Sequence, residues 1–245
     1  MTRDRSRLCR AALLFGFALL IAKLFLAGEM VKYMTPALDP LTALTGLVLA
    51  VMALMEVAGG GQGGGREGPP LERALTYLLV LLPLALGLGV APRALGASAL
   101  GGEAVGSLLL TFAPAASPPA LTTPAEPARP LDDVGDLLAW LRQAGEAGVG
   151  RRVRATGLVM RSDGLAADEF ALLRFVIAHC VADARPLALL VVAGGVAAGA
   201  PTDQWVEVEG VVAARAREGD RLVTLVAERV RPVEEPANPY LSAAY

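Results

Sequence analysis

Apolar residues crowd into three long runs within the first hundred positions, then break up into short alternating stretches. The first run covers 11–22, is interrupted by Lys23, and resumes through Gly28. A helix through both pieces reaches about Met34, long enough at 1.5 Å per residue to cross about 30 Å of hydrocarbon. Pro36 and Pro40 stop it. The second run, 41–58, is closed by the glycine tract 59–65, a flexible loop by composition. The third, 74–91, holds Pro83 and is followed by Pro92. Proline is tolerated inside a membrane helix where neighbours satisfy the carbonyl it frees. A fourth patch, 107–112, is too short to span. The pattern predicts a transmembrane domain over 1–95, with spans at about 11–34, 41–58 and 74–91.

Prolines at 114, 118, 119, 124, 127 and 130 forbid a helix or a central strand, so 96–130 reads as a semi-rigid, Pro-rich linker. Beyond it the period changes. In 131–147, Val134, Leu137, Leu138 and Leu141 share one stripe, with acids in the first turn where the helix dipole favours them. Val153, Ala155, Gly157 and Val159 then alternate with Arg152, Arg154, Thr156 and Leu158, a half-buried strand. Short strands follow at 170–177, 187–192, 205–212 and 221–230, split by Gly, Asp and Pro turns. Five short strands in about 85 residues suggest a small closed barrel of the OB type over 131–245; an open sandwich is the alternative. The expected fold class is membrane α plus soluble all-β.

Composition supports this division. Of 245 residues 54% are hydrophobic and only 19% charged, and the mean hydropathy is +0.52, which excludes wholesale disorder. The formal net charge is −2. Residues 131–245 carry 12 Arg, no Lys and 16 acids, and lack a row of aromatics for base stacking, so no nucleic acid is expected as a partner. Arg3, Arg5, Arg7 and Arg10 precede the first apolar run. A cleaved signal peptide starts in the same way, but Lys23 breaks the run, no convincing small-residue cleavage site follows, and two further runs do. A retained anchor is therefore expected. The positive-inside rule puts the N-terminus in the cytoplasm, and three spans put the C-terminal domain outside the cell.

Lys23 has two readings. It snorkels to an interface, or it faces a partner helix, a carboxylate or an aqueous path, with Glu56 and Glu29 as counter-charges. These membrane-embedded charges, Lys23 and Glu56, are candidate functional residues. In the outer domain the one histidine, His179, stands beside one of two cysteines, Cys180, with Asp183 three residues on. Imidazole and thiolate are preferred ligands of zinc and copper, so His179, Cys180 and Asp183 are candidate ligands of a zinc-like divalent ion, short of one ligand for a closed site. A structural role, with a buried cysteine, is the alternative. Adjacent strand residues point to opposite faces, which disfavours a Cys180–His179 nucleophilic dyad. No catalytic residue is assigned. The glycine tract lacks the Lys-Ser/Thr of a phosphate loop.

The chain resembles the YcgQ-type bacterial membrane proteins over nearly its whole length. Gly28 to Pro36, ending Tyr33-Met-Thr-Pro36, resembles the end of that family's first span. Leu82-Pro83 and Ala91-Pro-Arg-Ala-Leu95 resemble its third span and exit. In the outer domain the resemblance lies in Gly157-Leu-Val, Arg174-Phe175-Val-Ile, Cys180-Val-Ala182-Asp183-Ala184, Trp205 to Gly210, and Pro236-Ala-Asn-Pro239-Tyr240. The family usually has Cys where this chain has His179. What the resemblance implies is a non-enzymatic accessory subunit in the bacterial plasma membrane. It would work in the lipid bilayer beside a separate multi-spanning permease, in transport that involves a metal. A structural scaffold with a protein-binding barrel, and an envelope thiol enzyme using Cys180, are the alternatives.

Overall fold

A computed structural model describes residues 2–59, 70–100, 109, 134–195, 199–217 and 220–242. The chain divides into two compact units, Met1–Ala94 and Leu95–Tyr245. The prolines at 114–130 and most of the patch at 107–112 lie outside the described residues.

The first unit holds three helices, α1 (Thr2–Leu26), α2 (Asp39–Val57) and α3 (Pro70–Gly89). Helix α1 stops eight residues short of Met34. Gly28 takes a left-handed φ of +66°, and the N–H of Glu29 reaches the Leu24 carbonyl while that of Gly28 reaches Phe25. This paired closure satisfies the orphan carbonyls of a helix end and needs a residue without a Cβ. A 3₁₀ turn at Met30–Lys32 and another at Pro36–Leu38 lead into α2. The two prolines expected to stop the first helix instead open the next segments. Pro36 begins the second 3₁₀ turn, and Pro40 sits in the first turn of α2, where its missing N–H costs nothing. Among the described residues, two helical segments, Ser6–Leu26 and Pro36–Val57, are long and apolar enough to cross a membrane; the apolar part of α3, Leu75–Gly89, is shorter. The expectation of three full spans is corrected to two such segments and this shorter helix, because the turns of α3 before Leu75 carry Glu72.

Small residues set the helix packing. A Cβ on Gly46 of α2 would lie 3.1 Å from Ile21, and one on Gly87 of α3 would lie 2.9 Å from Leu20. Ala53 is buried on the same side of α2 as Gly46. Pairing of Gly16 with Leu84 and of Leu20 with Gly87 makes α3 run parallel to α1. The Arg10–Glu56 contact makes α2 antiparallel to both.

The second unit is a closed five-stranded barrel. Strand β1 (Arg152–Met160) pairs with β2 (Glu169–Ile177), β2 with β3 (Arg185–Val192), and β3 in parallel with β5 (Asp220–Pro232). Strand β5 pairs with β4 (Trp205–Arg217), which returns to β1. The closing order is therefore 1-2-3-5-4-1. Strands β4 and β5 run past the predicted ends as one long hairpin. A register shift at Glu209/Gly210 bends it, and a Cβ on Gly210 would lie 2.2 Å from the Val226 carbonyl oxygen. Helix α4 (Val134–Ala144) buries Val134, Leu137, Leu138 and Leu141 into the core formed with Val159, Phe170, Leu172, Leu189, Val206 and Leu225.

Strand β2 is buried along nearly its whole length, Glu169 and Arg174 included. The 3₁₀ turn Ala97–Leu100 lies against β1, with Ala97 fully buried. Thus 96–100, read from sequence as the start of a linker, and Leu95, read as the end of the transmembrane domain, belong to the barrel unit. A sixth strand, β6 (Tyr240–Ser242), runs parallel to β2 with Phe175 opposite Tyr240. Sequence reading missed it, since three residues carry no periodicity.

Candidate functional site

The predicted ligand trio lies at the end of β2. A single 3₁₀ turn, Val181–Asp183, follows Cys180. Asp183 folds back on the turn: its Oδ1 accepts the Ala178 N–H at 2.8 Å, and its Oδ2 accepts those of His179 at 2.9 Å and Cys180 at 3.2 Å. The His179 Nδ1 lies 3.3 Å from Oδ2, with the ring 76% exposed. The Ala178 N–H above all, then those of Cys180 and His179, holds the Asp183 carboxyl below the usual carboxylate range. The carboxylate meant for a metal is thus occupied by three backbone amides. Among the described residues, no group of three or more His, Cys, Asp or Glu side chains is placed to hold a metal ion. The three candidate ligands His179, Cys180 and Asp183 thus sit on one capped turn, with the Asp183 carboxylate turned to the backbone. Ala182 and Ala184 flank Asp183 within it, exposed and half-buried.

The residues that carried the family resemblance do converge, at a seam of the barrel. Strands β1 and β2 pair only from Leu158↔Leu173 to Met160↔Ala171. Beyond Leu173 the edge of β2 is taken over by β6. At the changeover the buried Arg174 stacks its guanidinium 5.0 Å from the Trp205 ring and donates to the Asn238 carbonyl at 3.2 Å. Pro239 is buried beside it. Tyr240, 2% exposed, accepts the Leu95 N–H on its Oη at 2.9 Å. Burial raises the Tyr240 phenol above its ordinary value. Arg174, Phe175, Pro239 and Tyr240 thus lock the seam.

A cleft missed by sequence reading opens beside the β1–β2 loop. It encloses about 250 Å³ between Gly164, Ala166, Glu169, Leu190, Arg215 and Ala216. The buried Glu169 is ion-paired with Arg215 and accepts the Ala166 N–H at 3.1 Å. Arg161 braces the same loop through the carbonyls of Ala200 and Ala167, both at 3.1 Å. The available signal was an acid opening a strand whose one other charged residue is Arg174. On the outer wall, Arg154 of β1, Glu207 and Glu209 of β4, and Arg229 and Arg231 of β5 form a ladder of ion pairs. The Arg231 guanidinium chiefly lowers the Glu207 carboxyl.

In the helical unit the two singled-out charges do not meet. Because α1 ends at Leu26, Lys23 lies in its last turn rather than mid-span. Its ammonium donates to the carbonyls of Gly87 at 3.2 Å and Leu88 at 2.9 Å, at the end of α3. Glu56 pairs with Arg10 at 3.4 Å. The counter-charges expected for Lys23 are replaced by the carbonyls of a helix end, which carry negative partial charge.

The class so defined is a protein of two parts: an apolar three-helix unit, and a closed five-stranded barrel sealed by its own tail. More particularly, the chain belongs to the DUF1980 family. The model of the DUF1980 N-terminal domain matches residues 9–105, and that of the DUF1980 C-terminal domain matches 135–242. No curated protein matches the chain. Among solved structures, a DUF3299 family protein from Pseudomonas aeruginosa PAO1 is 23% identical over 59% of this chain and 98% of its own, with a TM-score of 0.27. So low a score carries nothing over to this chain.

Proposed function

We propose that the chain is a non-enzymatic accessory subunit, anchored in the bacterial plasma membrane, that docks a multi-spanning permease and presents its barrel as a protein-binding module. The observation that carries this reading is the exterior of the helical unit. Leu47, Leu54 and Leu79 are 62%, 68% and 71% exposed, and many apolar neighbours on α2 and α3 are like them. A helix apolar on every side needs lipid or another membrane protein around it. The parallel course of α1 and α3 supports an up-down-up passage, with the N-terminal arginines cytoplasmic and the barrel extracytoplasmic. The closing order 1-2-3-5-4-1 supports an OB-like barrel, and its packed interior favours a binding surface on the outside. The permease as partner is supported by the resemblance to YcgQ-type proteins.

The two cysteines provide a topology test, since one lies in each unit: Cys9 is exposed and Cys180 half-buried. A membrane-impermeant maleimide applied to intact cells is expected to label Cys180 in a C9S variant and to spare Cys9 in a C180S variant. The reverse pattern overturns the orientation. Purification of the tagged full-length chain in mild detergent is expected to bring down a polytopic permease in near-stoichiometric amount. Its absence, across independent preparations, overturns the subunit reading.

A further inference from the structure

We propose that Arg7 and Arg10 hold the phosphate of an anionic phospholipid where α1 begins and α2 ends. The site rests on the bilayer reading above. Arg7 Nε, Arg7 Nη2 and Arg10 Nε are buried and have no hydrogen-bond partner. Among the described residues, Glu56 is the carboxylate paired with this group, 3.4 Å from Arg10 Nη2. The Arg10 side chain is 40% exposed, and guanidinium N–H groups left without acceptors are completed by an anion that reaches them.

Two further observations specify the occupant. A guanidinium presents paired donors in a plane that match the oxygens of a phosphodiester. Close by in sequence, Leu8, Leu54 and Val57 are 60%, 68% and 65% exposed, an apolar surface suited to acyl chains below a headgroup. Gly59, just past the end of α2, contributes by what it lacks. A Cβ there would come within 3.3 Å of Arg7 Nη2, and its φ of +87° disfavours any other residue.

The test uses the full-length chain in phosphatidylcholine nanodiscs containing one-fifth phosphatidylglycerol, with bound lipid counted by native mass spectrometry after extraction. Phosphatidylglycerol is expected to be retained in clear excess over its share. R7Q is expected to cut that excess about fivefold, the worth of one arginine at an anionic surface. Arg7 Nε and Nη2 make no hydrogen bond here, so R7Q takes none from them. R7K, which keeps the charge and loses the fork, is expected to fall between. K32Q, at the opposite end of α1, is expected to leave retention unchanged. Equal retention of both lipids overturns the site, as does an undiminished excess in R7Q. So does displacement of phosphatidylglycerol by millimolar inorganic phosphate, which marks a free-anion site. Release of the chain from membranes by alkaline carbonate sinks the bilayer reading itself, whereas a membrane-retained chain with no lipid preference sinks only this site.

Discussion

Tyr240 offers the sharpest test of the seam. Its ring is 2% exposed and lies opposite Phe175, and its Oη accepts the Leu95 N–H at 2.9 Å. Tyr240→Ala removes a buried aromatic side chain, a loss of about 3–5 kcal/mol where the site cannot collapse. A three-residue strand can shift to fill part of the space, so about 3 kcal/mol is expected. Tyr240→Phe keeps the ring and removes the hydroxyl that accepts the Leu95 N–H. Leu95 is half-buried and water can reach its N–H, so the loss is about 1 kcal/mol. The chain has two tryptophans, Trp140 and Trp205, both in the barrel unit. Their fluorescence during guanidinium unfolding of the full-length protein therefore follows the barrel alone. Trp205 is also stacked by Arg174 at the same seam. A loss below about 1 kcal/mol for Tyr240→Ala would show that the tail does not seal the barrel. Equal losses for the two variants would mean that the hydrogen bond, and not ring burial, holds it.

Three more outcomes follow from the same structure. A Cβ at Gly157 would stand 2.8 Å from the Leu173 carbonyl oxygen, so Gly157→Ala should cost about 1–3 kcal/mol through overpacking, read as a lowered unfolding midpoint. Because Asp183 is held below its usual value in the fold, its contribution is full at neutral pH and drains away as pH falls below the ordinary aspartate value. Asp183→Asn should therefore unfold earlier than the parent at pH 7, with the gap narrowing toward about pH 3; a gap independent of pH would contradict the capped turn. Lys23→Met leaves the Gly87 and Leu88 carbonyls without their ammonium donor and should lower the thermal stability of the helical unit in detergent by about 1–2 kcal/mol, while the fluorescence transition of the barrel stays in place.

Much of the fold could be read from period alone, and the misses have physical causes. The stripe Val134, Leu137, Leu138 and Leu141 is buried to within 2%, as an amphipathic helix requires. The five strands fell where alternation and turn residues put them. The end of α1 did not, because hydropathy runs past Gly28 while the backbone cannot remain helical through a left-handed residue. That single glycine changes Lys23 from a mid-span charge into a helix-end donor. Strand β6 is invisible to periodicity. The Glu169–Arg215 pair joins residues 46 positions apart, and only the closed barrel brings them together.

The departure at position 179 can be weighed by what its neighbours do. The His179 ring approaches the Asp183 carboxylate at 3.3 Å, while three successive N–H groups, from Ala178 to Cys180, converge on that same carboxylate. That geometry needs an acceptor of aspartate length at position 183, because a longer side chain would overshoot amides three to five residues back. From position 179 it takes the N–H and, at 3.3 Å, the imidazole Nδ1, on a ring that is 76% exposed. The Cys180-Val-Ala-Asp183-Ala184 segment is explained by the turn it closes, and the weight of any functional reading shifts to the sealed seam and to the helical unit.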